Sequence, residues 1–525
     1  MDFICNLPAI SILSCMFAAI ISSVLPKKAG RIVCYAVIVA VGIMSAITLG
    51  YSINLGDSVV YVMGKFPAPW GNEIRFGVLE CMMALFFSVI MLLSLLGGLH
   101  KMKDEVSDDK EFLYYVMVDL LFSSLLALIY TNDIFTAYVF VEINTISAAG
   151  LIVIRENGRT IEAGVRYMVM SLLGSGLLLS GIMILYDITG HLLMSNIKES
   201  VANIVATGEY RLPLVVSIVL MTTGLCIKSA LFPFHTWLPD AYGYATVSSA
   251  AILSSLVSKG YIFLVIKIFY RVVGIGVIQD SHILNILFIF GLIAMIAGSL
   301  SAIRENDIRR MIAFSSVAQI GYIYMGFGMG NELGVIASIF HILSHAATKS
   351  MLFIAAIGLT DVSHGSRHFK DLTGSAHRNK VAGAGFFVGS LSMVGIPLFS
   401  GFISKLQFMD SAMVLSYAKM LPALVVLGIS TILNAVYFMK TVIRIYTPLE
   451  KMGSNRQQAD IDTETAFIPT RMGINGVVIE KDVMHISDNK LYALVIVLFI
   501  ALNVFLGTGA NYVIELIKMG LEMFA

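Results

Sequence analysis

Apolar runs of about 20 residues recur from one end of the sequence to the other, and each is long enough to cross a hydrocarbon core of roughly 30 Å. Hydrophobic residues make up 58% of the chain and charged residues only 13%, a balance that ordinary soluble proteins do not have. We therefore predict an all-α polytopic membrane protein with about fourteen transmembrane helices. The predicted spans are 3–25, 31–52, 77–98, 112–130, 133–154, 162–186, 213–232, 247–270, 281–303, 308–329, 333–359, 381–409, 421–446 and 489–509.

Basic residues are distributed unevenly between the two sets of loops. About 21 of the 35 lysines and arginines lie in alternate loops, and about 7 lie in the opposite set. Cytoplasmic loops carry the excess of basic residues, so we expect a multi-pass protein of the cell (inner) membrane with both termini outside. The loops predicted to be cytoplasmic are 26–31, 99–111, 155–166, 304–310, 364–380 and 447–490.

The remaining basic residues fall within predicted spans. Lys267, Lys440 and Arg444 lie close enough to helix ends for their charged groups to reach the membrane surface, so we interpret them as interface anchors. Four lysines and one acid lie too deep for that. A charge in mid-membrane costs on the order of 3 kcal/mol, so we expect these five groups to line a polar path through the interior. They are Glu142, Lys228, Lys259, Lys349 and Lys405.

Two predicted helices have a proline next to one of these lysines. Pro233 follows Lys228 in the seventh helix, and Pro397 precedes Lys405 in the twelfth. A proline removes a backbone hydrogen bond and frees a carbonyl, which is acceptable at membrane depth only where protein or water satisfies it. Breaks at corresponding places of two halves indicate an internal repeat with the transport route at the breaks. The alternative is a pair of unrelated kinks.

The two breaks lie five helices apart, which predicts two five-helix repeats; their membrane orientations are opposite because five is an odd number. Residues 447–488 are polar, and we expect a cytoplasmic connection or docking surface there. Residues 188–211 are less apolar and are compatible with a short interfacial helix. The predicted organisation is N-terminal helices 1–3 in 1–111, a first repeat of helices 4–8 in 112–272, a second repeat of helices 9–13 in 281–446, the connection at 447–488, and helix 14 with its tail in 489–525.

The segment IFHILSHAATKSMLF places His341, His345 and Lys349 at positions i, i+4 and i+8, on one face of a helix. Imidazole titrates near pH 6.5 and can relay protons. A buried lysine can also do so, because desolvation weakens its hold on the proton. The His-x-x-x-His spacing also occurs at zinc sites, but no third ligand lies nearby in the sequence, and we expect no metal.

Glu142 is the only deeply placed acid, and Lys228 is the deeply placed base that we expect to lie nearest to it. An ion pair between them would keep both charged, and separating them would let the desolvated lysine release its proton. A static pair that pins two helices is the alternative. Asp119 and Glu80 lie closer to helix ends and are interpreted as accessory at most. Lys259 follows small and hydroxyl residues, a face that either packs closely against another helix or admits water.

Several classes of chemistry have no signature in the sequence. No GxxxxGK[ST] motif offers a phosphate site, and no Ser/His/Asp set indicates covalent catalysis. The five cysteines fall inside spans without CxxC spacing, so they provide neither a disulfide framework nor iron–sulfur ligands. We therefore expect no catalytic redox site and no cofactor in this chain. A net charge of +1 does not indicate a class of partner, and no segment of the sequence resembles a nucleic-acid-binding face. Because the chain has ion-pathway groups but no visible power source, we expect it to take its energy from an ion gradient or from neighbouring subunits.

Four motifs occur in order along the sequence: KSALFPFHTWLPDAY, RENDIRRMIAFSSVAQIGY, FHILSHAATKSMLF and GIPLFSGFISK. Together they resemble the antiporter-like membrane subunits shared by respiratory complex I, Mrp-type cation/proton antiporters and energy-converting membrane hydrogenases. The resemblance covers roughly residues 70–445 and implies fourteen helices, inverted five-helix repeats and broken seventh and twelfth helices. The segment YGYATVSSAAILSSLVSK has alanine and serines where some members have proline and histidine, and is closer to the D-type antiporter and hydrogenase branches.

The resemblance also implies roles for individual residues. Glu142 and Lys228 resemble the glutamate and lysine that pair between the fifth and seventh helices of the family, and Lys259 is similar to the connecting base of the eighth. Lys405 resembles the terminal lysine of the twelfth helix, where some complex I members have glutamate. The remaining residues match the relay of the eleventh helix. They are His341, His345 and Lys349.

Two functions of different class follow from these observations. The first is a proton-translocating, possibly sodium-coupled, subunit of a larger membrane complex, either an ion-translocating oxidoreductase or a cation/proton antiporter. Its partners would be other membrane subunits, including homologues of this chain, together with H⁺, Na⁺ and the lipid bilayer. The second is a structural anchor subunit of the same kind of complex that does not pump. A self-sufficient transporter of an organic solute is less favoured, because nothing in the sequence resembles a solute pocket.

Overall fold

The computed structural model describes residues 2–66, 71–448 and 489–524, so nearly all of the polar segment 447–488 lies outside the described residues. The helices are α1 Asp2–Val24, α2 Lys27–Leu55, α3 Val78–Gly98, α4 Met102–Glu105, α5 Glu111–Tyr130, α6 Ile134–Val153, α7 Gly158–Thr189, α8 Met194–Thr207, α9 Arg211–Lys228, α10 Leu238–Tyr244, α11 Val247–Ile252, α12 Ser258–Lys267, α13 Ile275–Asp280, α14 Ile283–Arg304, α15 Ile308–Met329, α16 Glu332–Asp361, α17 Ser375–Arg378, α18 Lys380–Val394, α19 Ser400–Met413, α20 Tyr417–Tyr446, α21 Lys490–Thr508 and α22 Ala510–Glu522. Two strands, β1 Val59–Val62 and β2 Glu73–Phe76, form an antiparallel hairpin.

Thirteen helices of the described chain are long and apolar enough to cross a membrane. The remaining predicted span, 381–409, consists of two short helices, α18 and α19, that follow one another across a break. The prediction of an all-α polytopic membrane protein is therefore confirmed. The division into two inverted repeats stays a prediction.

Both proline-containing segments interrupt a helix. Helix α9 ends at Lys228, and the chain passes through Ala230, with φ of 61°, and Pro233 before a 3₁₀ turn leads into α10. Helix α18 ends at Val394, and the following break contains Pro397 between residues of positive φ. Proline has no amide hydrogen to continue a helix, and positive φ reverses the local path of the chain. Each break therefore leaves a helix C-terminus inside the protein.

Two helical segments form the centre of the molecule. The most apolar stretches of Val247–Val273 and Glu332–Asp361 are completely buried, whereas only 28% of the corresponding stretch of α2 is. Two π-helical segments, Leu253–Val257 and Ile268–Val273, flank α12 within the first of these. Because protein surrounds both segments, their charged side chains face other side chains and backbone rather than lipid. These central segments carry most of the predicted path residues.

Short elements cover one end of the bundle. Helix α8 buries Met194, Ile197, Val201 and Ile204 along one face, as expected for a short interfacial helix in 188–211. The hairpin β1–β2 precedes α3, and the amphipathic α22 follows α21 at the same end, where Arg75 donates to the carbonyl of Met523. The hairpin and α22 were not predicted, because neither produces a long apolar run.

Candidate functional site

An acid and a lysine lie together at the first helix break. The Lys228 Nζ is 3.6 Å from Glu142 Oε1, and the lysine side chain is completely buried while that of Glu142 is 31% exposed. Ser175 Oγ donates to the same carboxylate oxygen. Lys228 is the last residue of α9, where unpaired carbonyls create a partial negative charge that favours a cation. The pair therefore joins a buried ammonium to a carboxylate at the outer wall of the chain.

A series of side-chain hydrogen bonds connects Lys228 to the centre of the molecule. Lys228 Nζ donates to Thr145 Oγ1 at 2.8 Å, and that hydroxyl lies 3.4 Å from the hydroxyl of Tyr261. Tyr261 in turn donates to Asn144 at 2.9 Å, and Asn144 donates to Ser124 at 2.8 Å. Hydroxyl groups both donate and accept, so they can pass a proton between neighbours. The contacts reach α12 two residues from Lys259.

Lys259 is completely buried at the start of α12. Its Nζ donates to the carbonyl of Ser254 and lies 3.3 Å from Ser258 Oγ. Ser254 belongs to the π-helical segment Leu253–Val257, and the wider hydrogen-bond spacing of a π-turn alters which carbonyls are used within the helix. The π-turn therefore supplies Lys259 with a backbone partner, and no ion pair involves this lysine among the described residues.

The predicted stripe on α16 forms, and its three members are buried. His341 and His345 stack with ring centroids 5.8 Å apart and planes within 7°. His341 Nδ1 lies 2.6 Å from Ser404 Oγ, whereas both ring nitrogens of His345 lack a hydrogen-bond partner within the described chain. Lys349 donates to Ser315 and, at 2.8 Å, to the carbonyl of Ile312. The stripe places two imidazoles and an amine in one buried row.

Lys405 lies at the second break. Its Nζ donates to the carbonyls of Met393 and Val394 at 3.1 and 2.7 Å, and it is 5.8 Å from the ring centroid of Tyr322. These carbonyls end α18, where the backbone has no further amide to pair with. Lys228 and Lys405 therefore both occupy the C-terminal end of a half-helix, each satisfying part of the charge that the break creates.

Asn503, which was not predicted as a site residue, connects α16 to the second break. Its Oδ1 accepts from Thr348 at 2.7 Å, Ser400 at 3.2 Å and Ser392 at 3.3 Å. Ser344 also donates to Ser400 at 2.8 Å. Asn503 is an amide within the otherwise apolar run of α21, and that isolation is the signal that could have identified it.

The interpretation of Lys267 as an interface anchor is wrong. Its side chain is completely buried, and Nζ donates to the carbonyls of Thr131, Ile129 at 2.9 Å and Leu128 at 3.2 Å. Helix α5 ends at Tyr130, so its last carbonyls are free to accept an ammonium. By contrast, Lys440 is exposed, in keeping with an anchor.

The two accessory acids are both buried. Glu80 is 1% exposed and lies 2.5 Å from Arg271, which is 2% exposed. Asp119 is completely buried, with Ser22 Oγ at 3.5 Å from its Oδ2. The Glu80–Arg271 pair was missed because each residue alone resembles a charge near the end of a span. Only the fold shows that the two ends meet inside protein.

Three arginines bind the end of α10, the helix that follows the first break. Arg367 donates to the carbonyl of Gly243 at 2.8 Å, Arg155 to that of Tyr244 at 3.2 Å, and Arg309 to that of Ala245 at 2.6 Å. We call Arg155, Arg309 and Arg367 the arginine clamp. Guanidinium groups at a helix C-terminus satisfy its carbonyls and its partial negative charge. The clamp therefore fixes the half-helix beyond Lys228.

Comparison with known proteins gives consistent relatives. Residues 131–432 match the family described as "NADH:quinone oxidoreductase/Mrp antiporter, TM". The N-type subunit of the NADH-quinone oxidoreductase of Desulforudis audaxviator is 30% identical over 403 residues, covering 76% of this chain and 78% of that protein. The D-type subunit of the Na⁺/H⁺ antiporter of Alkalihalophilus pseudofirmus is 26% identical over 373 residues, covering 70% and 73%.

Longer relatives match over a smaller part of their length. The chain spans 37% of the A-type subunit of the same antiporter and 49% of a related staphylococcal protein. Among solved structures, a chain of the Mrp complex from Dietzia sp. DQ12-45-1b superposes with a TM-score of 0.83 at 24% identity, covering 99% of this chain and 97% of that one. At this identity the superposition establishes the fold alone.

Proposed function

Because the chain belongs to the NADH:quinone oxidoreductase/Mrp antiporter membrane-subunit family and is an antiporter-like subunit, we propose that it translocates protons within a multisubunit membrane complex. The observation that carries the proposal is the 3.6 Å contact between the buried Lys228 ammonium and Glu142. The complex would be of the oxidoreductase or cation/proton antiporter type, and sodium coupling is part of the proposal. Membrane subunits, including homologues of this chain, would be the partners.

The Glu142–Lys228 pair would act as the switch. While the two groups are in contact, each stabilises the charged form of the other. When they separate, the ammonium remains in a buried site with no other acid in contact among the described residues, which is strongly unfavourable. Releasing the proton relieves that situation. The hydroxyl of Thr145, 2.8 Å from Lys228 Nζ, is the first group able to receive it.

The proposed route continues through the centre of the molecule. From Thr145 and Tyr261 it would reach Lys259, then His345 and Lys349 with His341 beside them, and finally Lys405 at the second break. Both ring nitrogens of His345 lack a partner within the described chain, and this supports a relay because one nitrogen can accept a proton while the other donates one. The Asn503 contacts with Ser392 and Ser400 support the step towards the second break.

Substituting Lys228 with alanine is expected to abolish proton translocation while the complex still assembles, because the switch loses its base. Proton uptake into proteoliposomes containing the purified complex measures the effect, with and without Na⁺ to test sodium coupling. Lys440→Ala is the matched control, since it removes an exposed lysine from a transmembrane helix. Unchanged translocation by the Lys228 variant would contradict the proposal.

A second candidate function is a structural anchor without its own pumping. The observation that favours it is that Lys349 and Lys405 already donate to backbone carbonyls, so static hydrogen bonds would account for their retention. The double variant Glu142→Gln/Lys405→Ala distinguishes the two. Normal coupling of the parent complex in that variant would favour the anchor, and loss of coupling with intact assembly would favour translocation.

A further inference from the structure

Asp119 is a buried acid that the proposed proton route does not use. It lies in α5 and is completely buried, and no ion pair involves it among the described residues. Its Oδ1 also has no hydrogen-bond partner there. An ionised carboxylate without a partner is strongly unfavourable inside a membrane protein. Asp119 therefore needs either a proton or a bound cation to balance its charge.

The hydroxyl of Ser22 is the polar group closest to this carboxylate. Ser22 Oγ lies 3.5 Å from Asp119 Oδ2 and 3.5 Å from the carbonyl oxygen of Gly30. Both separations are long for hydrogen bonds between oxygen atoms, which mostly measure about 2.5–3.0 Å. One hydroxyl hydrogen also cannot be donated fully to two acceptors. Ser22 therefore does not compensate for the buried charge of Asp119.

The backbone around Ser22 also favours a cation. Ser22 lies in the last turn of α1, and the residue four positions later is Pro26, which has no amide hydrogen to pair with the carbonyl of Ser22. Unpaired carbonyls make this end of a helix partially negative, which favours a cation and opposes a carboxylate. The amide of Gly30 at the start of α2 is already bonded to the carbonyl of Pro26, at 3.0 Å. The local backbone therefore adds to the need for positive charge beside Asp119.

The spacing of the oxygen atoms fits a small cation that prefers oxygen ligands. A cation of the size of Na⁺ or Ca²⁺ takes oxygen ligands at about 2.4 Å, so two ligands at a right angle are about 3.4 Å apart. The separations of 3.5 Å that join Ser22 Oγ to Asp119 and to Gly30 are close to that value. A single carboxylate balances one positive charge, which favours Na⁺ over Ca²⁺. K⁺ is larger and needs ligands that lie further apart.

Two thiols are the other titratable groups beside Asp119, those of Cys15 and Cys34. Thiols next to a carboxylate are also compatible with a transition metal, which prefers soft sulfur ligands. Within the described part of the chain, however, no group of three His, Cys, Asp or Glu side chains is arranged to hold a metal ion. The oxygen atoms of Ser22, Gly30 and Asp119 are therefore the ligands that this region offers to a cation.

We propose that Asp119, Ser22 and the carbonyl of Gly30 bind one Na⁺ between α1, α2 and α5. The carboxylate balances the charge of the ion, and the two neutral oxygen atoms replace part of its hydration shell. Because residues 26–31 form a loop that is predicted to be cytoplasmic, the ion would enter from that side. The site uses no residue of the proton route, so Na⁺ binding and proton translocation can succeed or fail separately.

The test uses the full chain purified with the subunits that accompany it. Equilibrium binding of radiolabelled Na⁺ is measured for wild type, Asp119→Asn and Ser22→Ala, with unlabelled Na⁺ or K⁺ as competitor. Asp187→Asn is the control for the first variant, because Asp187 is an exposed acid in the transmembrane helix α7. Ser23→Ala is the control for the second, because Ser23 is the exposed serine next to Ser22.

Wild type and both controls should bind one Na⁺ more than Asp119→Asn, and K⁺ should not displace that ion. Ser22→Ala should lower the affinity by about tenfold, because it removes one oxygen ligand from a charged group. Equal Na⁺ binding by wild type and Asp119→Asn would overturn the proposal, as would displacement by K⁺ as effective as that by Na⁺. If Asp119→Asn does not assemble, equal Na⁺ affinities of Ser22→Ala and Ser23→Ala would overturn it.

Infrared spectroscopy distinguishes a bound Na⁺ from a proton at Asp119. With Na⁺ bound, the side chain is a carboxylate, so at saturating Na⁺ wild type and Asp119→Asn should differ in carboxylate absorption. A carboxylic-acid carbonyl band that is present in wild type at saturating Na⁺ and missing in Asp119→Asn would show that a proton occupies the site. That result would reject the Na⁺ site.

Discussion

At the level of single residues, four of the buried lysines are stabilised by the same kind of partner, a backbone carbonyl. Lys259, Lys267, Lys349 and Lys405 each donate to at least one backbone carbonyl, and those carbonyls lie at helix ends, at a π-turn or beside a hydroxyl residue. A carbonyl stabilises an ammonium without the opposing full charge that would fix its proton. Backbone partners therefore let a lysine remain inside the membrane without a carboxylate that would hold its proton in place.

Arg271 is stabilised differently, by a direct ion pair with Glu80, and this difference gives a prediction. We expect Glu80→Ala to lower stability by about 3–5 kcal/mol, because it leaves the Arg271 charge buried without its partner. The double variant Glu80→Gln/Arg271→Gln should be less destabilised, since it leaves no unpaired charge. Thermal unfolding in detergent measures both. A double variant that is less stable than Glu80→Ala would contradict this account of the pair.

At the scale of elements, the first broken helix is held on both sides of its break. Lys228 ends α9, and the arginine clamp binds the carbonyls at the end of α10, so the intervening backbone lies between two fixed points. Arg310 adds a contact to Asp240 within α10. Movement at the break would therefore require one of these ends to yield, and the clamp is itself held by an ion pair between Arg155 and Glu105 at 3.6 Å.

We expect Arg309→Gln to increase amide hydrogen exchange in residues 238–245, because a charge-assisted hydrogen bond to the carbonyl of Ala245 is lost, at a cost of about 1.5–3 kcal/mol. Hydrogen-exchange mass spectrometry measures the effect, and α18 should be unchanged. Arg304→Gln is the matched control, since Arg304 is an exposed arginine near the same loop. Equal exchange in the two variants would show that the clamp does not hold α10.

Some elements could be predicted from sequence and others could not, for a physical reason. Long apolar runs determine spans, and the predicted 308–329 coincides with α15 at Ile308–Met329. Prolines marked both breaks, because proline cannot continue a helix. The hairpin and α22 were missed since an amphipathic or extended segment at the membrane boundary has no long apolar run. Their stability comes from tertiary contacts, such as that of Arg75 with Met523.

At the scale of the whole molecule, hydropathy predicted how deep a charge lies but not which way it faces. Glu142 is near the middle of its span, yet its side chain is 31% exposed at the outer wall. Lys267 is near a helix end, yet it is completely buried. Depth follows from position along one helix, whereas direction depends on which neighbours pack against it. The stripe of His341, His345 and Lys349 was predictable because all three belong to one helix.

The predicted orientation gives a test on the intact membrane. Glu209 and Lys370 are exposed at opposite ends of the bundle, and the basic loops predict Glu209 outside and Lys370 in the cytoplasm. We expect Glu209→Cys to react with an impermeant maleimide added to intact cells, and Lys370→Cys to react only after permeabilisation. Four of the five native cysteines are buried, and the wild-type chain is the background control. The reverse pattern would invert the assignment.

The position of Lys405 against the last carbonyls of α18 has a mechanical consequence. The charged amine of Lys405 donates two hydrogen bonds to the end of that half-helix. The neutral amine has one donor fewer and no charge, so it would bind the same carbonyls more weakly. Each arrival or departure of a proton there would tighten or slacken the joint between α18 and α19. The break would then act as a hinge whose stiffness depends on whether Lys405 is protonated. Proton transfer at Lys405 would in that way be coupled to movement of α18 relative to α19.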